Sequence, residues 1–208
     1  MRTPSGRLLG AGLIVLSGLT LAQCAAQPTA APAAAPPLTP VVTIKELMEN
    51  IIDPIADNIF DAVGSDISDK GIVNTVPKTD EEWAKVMQGA VTLAEGSNLL
   101  KLHRNVAPPG DKNNSNGPNA PELSPEAIQA KIDGDRALWN KHAEELRDSA
   151  IKVIAIVKER NADALFAAGS EIDMVCENCH LEYWYPGDKK AVLEDAAKRA
   201  TMPEKKKK

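Results

Sequence analysis

From residue 41 onward, four stretches of the chain repeat apolar residues with the period of a helix, and none alternates apolar with polar for the length of a strand. The expected body is therefore all-α. The first stretch opens at a capping box, Thr43 with Glu46, and carries Ile44, Leu47, Met48, Ile51, Ile55, Ile59 and Ala62 on one face until Gly64. Pro54 interrupts it, because its missing N–H frees the carbonyl of Asn50 and bends the helix beyond Met48. The second opens at another capping box, Thr79 with Glu82, runs through Trp83, Val86, Met87, Ala90, Leu93 and Leu100, and fades near His103.

Residues 104–123 hold four prolines and five asparagines and are expected to form an exposed loop. Ser124 followed by Pro125 is an N-cap with proline at the first helical position. From there one long helix is expected, with Ile128, Ile132, Trp139, Ala143, Leu146, Ala150, Val153 and Val157 on its inner face. After a break near 158–161, a fourth helix carries Leu165, Ala168, Ile172, Val175, Cys176, Cys179 and Tyr183 and ends at Pro186-Gly187. A short amphipathic piece follows from Lys189 to Arg199. Four such helices fit an antiparallel four-helix bundle, in which cofactors sit between facing helices. Aromatic residues make up only 3% of the chain, which leaves room in the core for a flat prosthetic group.

Ahead of the body, Arg2 and Arg7 precede an apolar stretch from Leu8 to Leu21 with no acidic residue, followed by small residues. This is the build of a secretory signal and is shorter than the ~20 residues that span a bilayer. Cys24 stands where a lipoprotein signal places its lipidated cysteine, although Gln23 occupies a position that wants a small residue. Cleavage after Ala26 is the equal alternative and removes Cys24. Residues 25–40, with seven alanines, five prolines and no charge, read as a semi-extended leash. The expected organisation is a signal at 1–26, a linker at 25–40, a four-helix domain at 41–201 and a basic tail at 202–208. Removing residues 1–23 takes the formal charge from −5 to −7. A chain of that sign offers no basic surface for nucleic acid, and at 43% hydrophobic it is too apolar to be disordered.

The chemistry is concentrated in Cys176-Glu177-Asn178-Cys179-His180, a C-x-x-C-H motif. On a helix, residues three apart face the same way, so two thiols reach the two vinyl groups along one porphyrin edge while the adjacent imidazole binds iron. One covalent haem c is the expected cofactor, and export suits it because this attachment takes place on the oxidising side of the membrane. The alternatives fit less well. A thioredoxin-like dithiol wants a βαβ context, a zinc site needs a fourth ligand that only His103 or His142 offers, and a disulfide between helical residues three apart is strained.

A signal segment, four helices and a single late C-x-x-C-H, followed by Leu181, Glu182 and the aromatic Tyr183, resemble the class II c-type cytochromes, the cytochrome c-prime family. The resemblance covers about residues 41–186 and makes 41–201 a cytochrome domain. It implies that Cys176 and Cys179 are the thioether anchors and His180 the proximal iron ligand. It also implies that the first helix covers the opposite haem face, where Met48 matches the position that ligates iron in some members. Members of the family often form helix-paired dimers, so a homodimer is open here too. One position departs from the family pattern: Trp184 stands where Arg or Lys is common, so no cationic contact beside the haem carries over.

The functional expectation is a periplasmic monohaem electron carrier, with membrane attachment only if Cys24 is lipidated. Its partner would be a redox protein, and the acidic balance favours a basic one. The alternative is a five-coordinate haem that binds a diatomic gas. No enzymatic activity is expected, since peroxide or nitrogen-oxide chemistry wants a distal acid or base and the inner face assigned to the first helix offers none. His103, at a frayed helix end, and His142, among charged neighbours, are expected at the surface or rim. The acids Glu171, Asp173, Glu177 and Glu182 are read as a wet helix face, and Tyr183-Trp184-Tyr185 as a helix stop that also shields the haem edge.

Overall fold

The computed structural model of the chain describes residues 37–112 and 121–194, apart from the side chains of Ile67 and Ser68. The signal segment with Cys24, the linker as far as residue 36, and residues 195–208 with the basic tail lie outside the described residues. Among the described residues no helix is long and apolar enough to cross a membrane.

The body is mostly helical. The expected first helix is divided into α1 (Ile44–Leu47), a π-turn (Met48–Ile52) and α2 (Asp53–Phe60). Thr43 and Glu46 close their capping box, the Thr43 amide donating to Glu46 Oε2 at 2.9 Å and the Glu46 amide to Thr43 Oγ1 at 3.2 Å. Pro54 lies in the first turn of α2, and the Asp53 amide donates to the carbonyl of Met48, five residues back. The proline thus interrupts the helix by inserting a residue into one turn. That insertion advances the inner face by one position: Ile52 and Ala56 are buried where Ile51 and Ile55 were expected. Gly96 permits the close approach behind it, since a Cβ there would meet Ile52 Cδ1 at 3.0 Å.

The body is consistent with the all-α expectation, and between α2 and the next helix stands a small β-hairpin absent from the sequence reading. Strands β1 (Gly64–Ser68) and β2 (Gly71–Thr75) pair antiparallel across the turn residues Asp69 and Lys70. Gly71 takes φ +118°, open to a residue without Cβ. Ile72 and Val73 on β2 are exposed, so the hairpin adds little to the core and its sequence carries no inward-facing alternation.

Helix α3 (Asp80–Leu99) starts at the Thr79/Glu82 capping box as expected. The long third helix is two. Ser124 caps α4 (Pro125–Gly134), and Asp135, at φ −141° and ψ 76°, leaves helical geometry and caps α5 (Arg136–Glu159) through Leu138. Glycine followed by a residue whose carboxylate takes an amide is a stop and a start in sequence. Arg160 in the left-handed region and Asn161 as N-cap then separate α5 from α6 (Ala162–Tyr183). A short 3₁₀ turn (Pro186–Asp188) leads into helical residues 189–194.

Helix α5 packs between α3 and α6, α2 lies against α3 and α6, and α4 against α5 and α6. The core they share includes Ile59, Leu93, Trp139, Val153, Leu165 and Ile172, each at most 1% exposed. The loop after α3 is not wholly exposed as expected. Arg104, Val106 and Ala107 are buried; Arg104 donates to the carbonyls of Val42 at 3.1 Å and Leu99 at 2.8 Å. The carbonyls of Asn105 and Val106 receive the first amides of α1 at 2.9 and 2.8 Å. These contacts fix the start of the first helical segment beside the end of α3.

Candidate functional site

A cavity of about 360 Å³ opens between the π-turn and α2 on one side and α6 on the other, with α5 as its floor. Its size falls within the ~300–1,000 Å³ usual for small-molecule and cofactor sites. Cys176, Cys179 and His180 of α6 all line it, as the three- and four-residue spacing on one helix predicts. Met48, at the start of the π-turn, lines it as well. The four residues singled out in the sequence therefore meet at one place, Met48 from a segment more than a hundred residues before the other three in the chain.

The remaining wall is largely apolar: Ile52, Ala56 and Phe60 from the first segment, Leu100 after α3, and Trp139, Ala143 and Leu146 from α5. Trp139 is fixed by its indole N–H, which donates to the carbonyl of Leu100 at 2.8 Å. Tyr183 stacks edge-on against Trp139 at 5.0 Å and is 1% exposed, so it belongs to the core behind the site. Trp184 and Tyr185 flank His180, each ring centred 6.0 Å from the imidazole.

Three features differ from the sequence reading. His142 sits on the cavity wall and not at the rim, with Nδ1 buried and without a hydrogen bond among the described residues although Glu145 Oε2 is 3.4 Å away. Its place follows from spacing, three residues after Trp139 and four before Leu146, which the charged neighbours Lys141 and Glu144 conceal. Of the two histidines offered as a fourth zinc ligand, His103 lies away from the cavity, near Asp133, and His142 shares the cavity with Cys176, Cys179 and His180. Second, Glu49 and Asp53 border the cavity while remaining exposed, so the first segment does present carboxylates at its mouth. Third, of the four acids read as a wet face, Glu177 is half-buried at the cavity; Asp173 borders it but is exposed, and Glu171 with Lys152 and Glu182 with Lys131 and Lys189 form pairs at the helix surface, as a wet face does. Met174 is exposed, and Met87 packs against the core away from the cavity.

The electrostatics of the site favour neutral groups. Burial pushes the Cys176 thiol up to about 11 and the Cys179 thiol up to about 12, with the charges of Asp173 and Asp53 adding to the first and Cys176 and Glu145 to the second. Burial also lowers His180, against the opposing pull of Glu177 and Asp53. A neutral imidazole is the form that ligates a metal, and thiols with so small a thiolate fraction exchange slowly with soluble disulfides. The donor set, two thiols and an imidazole on one helix face with a thioether across the cavity, fits a covalent haem. In the folded haem-free chain, alkylation of these thiols near pH 8 is expected to run roughly 100-fold slower than in urea, following their lost thiolate fraction. Equal rates in buffer and urea would contradict that burial.

Comparisons with protein-family models, with curated proteins and with solved structures found no match to this chain.

Proposed function

We propose that the chain is an exported monohaem c-type cytochrome built as an antiparallel four-helix bundle, and that it carries single electrons. One observation supports this above the others: Cys176, Cys179, His180 and Met48 converge on a single largely apolar cavity. Haem c, once bound, supplies reversible one-electron chemistry at its iron. The chain's own residues do the rest. Cys176 and Cys179 would hold the haem covalently as thioethers, His180 would be the proximal iron ligand and Met48 the distal one. Ile52, Ala56, Phe60, Trp139 and Leu146 exclude water from the faces. Held by residues from two helical segments, such a group would need little rearrangement of the chain on electron transfer, and no activity as an enzyme is proposed. The protein would work in the periplasm with a basic redox partner, lipid-anchored only through Cys24.

The optical spectrum of the reduced protein with and without carbon monoxide tests this. A low-spin spectrum unmoved by the gas is expected. A high-spin spectrum that shifts would replace the electron-carrier reading with a five-coordinate gas-binding one, and absence of c-type bands would end both.

A further inference from the structure

The segment just after His180 folds back onto it. The amides of Trp184 and Tyr185 both donate to the His180 carbonyl, at 2.7 and 3.0 Å. The strap is held at two more points, the Leu123 amide donating to the Trp184 carbonyl at 2.8 Å and the Asp188 amide to the Tyr185 carbonyl at 3.0 Å. This return lays the Tyr185 ring against the imidazole and carries its hydroxyl one helical turn back, where it donates to Glu177 Oε2 at 2.9 Å. Glu177 lines the same cavity as His180. Among the described residues, none that lines that cavity is Lys or Arg.

We propose that Tyr185 and Glu177 form a positioning pair for His180, the hydroxyl holding the carboxylate beside the imidazole so that its negative charge lowers the reduction potential of the iron that His180 binds. The inference rests on the haem reading above. Its physics is simple: a fixed negative charge near the metal favours the ferric over the ferrous state, and it acts more strongly in a partly buried site than in water. Glu49, Asp53 and Asp173 also border the cavity, but Glu177 is the one tied by a neutral donor on the strap that packs against the ligand. Its charge is also the largest opposing the burial of His180. Such outer partners commonly orient metal-bound histidines and tune the metal.

The test is redox titration of the holoprotein and of Glu177→Gln, Tyr185→Phe and the double variant, with Glu171→Gln as a charge control away from the cavity. At fixed ambient potential, Glu177→Gln should raise the ferrous-to-ferric ratio about tenfold, ~59 mV for a one-electron couple. Tyr185→Phe, which keeps the ring, should raise it about threefold, and the double variant should match Glu177→Gln because the pair acts as a unit. Glu171→Gln should leave it unchanged. If Glu177→Gln fails to load haem, Tyr185→Phe carries the test alone. Covalent haem with wild-type potentials in both single variants overturns this proposal and leaves the electron-carrier reading standing. A wild-type chain without covalent haem overturns both.

Discussion

The double variant Cys176→Ala/Cys179→Ala is expected to release all of its haem on denaturation, whereas the wild-type protein keeps it. Both sulfurs line the cavity from one face of α6, so each single variant retains one thioether and should keep the haem with a shifted α-band. With both removed, only the bonds from His180 and Met48 and the apolar wall hold the ring, and these dissociate when the chain unfolds. A stability loss should accompany the spectral one. A ligand held a thousandfold above its dissociation constant stabilises the native state by ~4 kcal/mol, and a ring lost on unfolding gives up the further advantage of remaining attached. Thermal denaturation followed by circular dichroism, beside extraction of haem into acidified acetone, checks both effects.

Met48→Leu is expected to turn a six-coordinate iron into a five-coordinate one that binds carbon monoxide. Leucine nearly conserves the volume of methionine and removes only the sulfur, and Met48 is half-buried, so the packing contribution to folding should change by less than ~1.5 kcal/mol, apart from the lost bond to iron. The gain in carbon monoxide affinity should be a hundredfold or more, equivalent to ~2.7 kcal/mol of iron–thioether bonding released. The reduction potential should fall, since an axial thioether raises it. If the variant stays low-spin, another side chain has reached the iron. Among the histidines other than His180, His142 is the one on the cavity wall, so Met48→Leu/His142→Ala separates that outcome.

Much of this was legible in the chain because the signals were local. Two capping boxes and a Ser-Pro start placed α1, α3 and α4 within a residue of their observed beginnings. The C-x-x-C-H spacing put three groups on one face wherever the helix lay, and Met48 was found by expecting the first segment opposite. What escaped depended on tertiary contacts. Pro54 announced an interruption, but whether the helix kinks or inserts a residue is decided where Ile52 meets Gly96 on a neighbouring helix. Glu49 and Asp53, exposed on the first segment, border the mouth of the cavity. Asp135 reads as an ordinary polar residue within a periodic stretch until its carboxylate is seen capping Leu138 at 2.9 Å. The hairpin lacked the alternation that marks a half-buried strand because β2 is exposed along its length. Arg104 looked like the first residue of a polar loop, and its burial follows from two carbonyls, on Val42 and Leu99, that converge on its guanidinium.

The central claim is that Cys176 and Cys179 are consumed in bonds to a haem held by His180. The intact mass of the exported protein, measured after denaturation and treatment with a thiol alkylating agent, tests it directly. The predicted result is a mature chain heavier by one haem, with Cys176 and Cys179 unmodified by the reagent. A chain of polypeptide mass alone that takes up alkyl groups at both cysteines would contradict it.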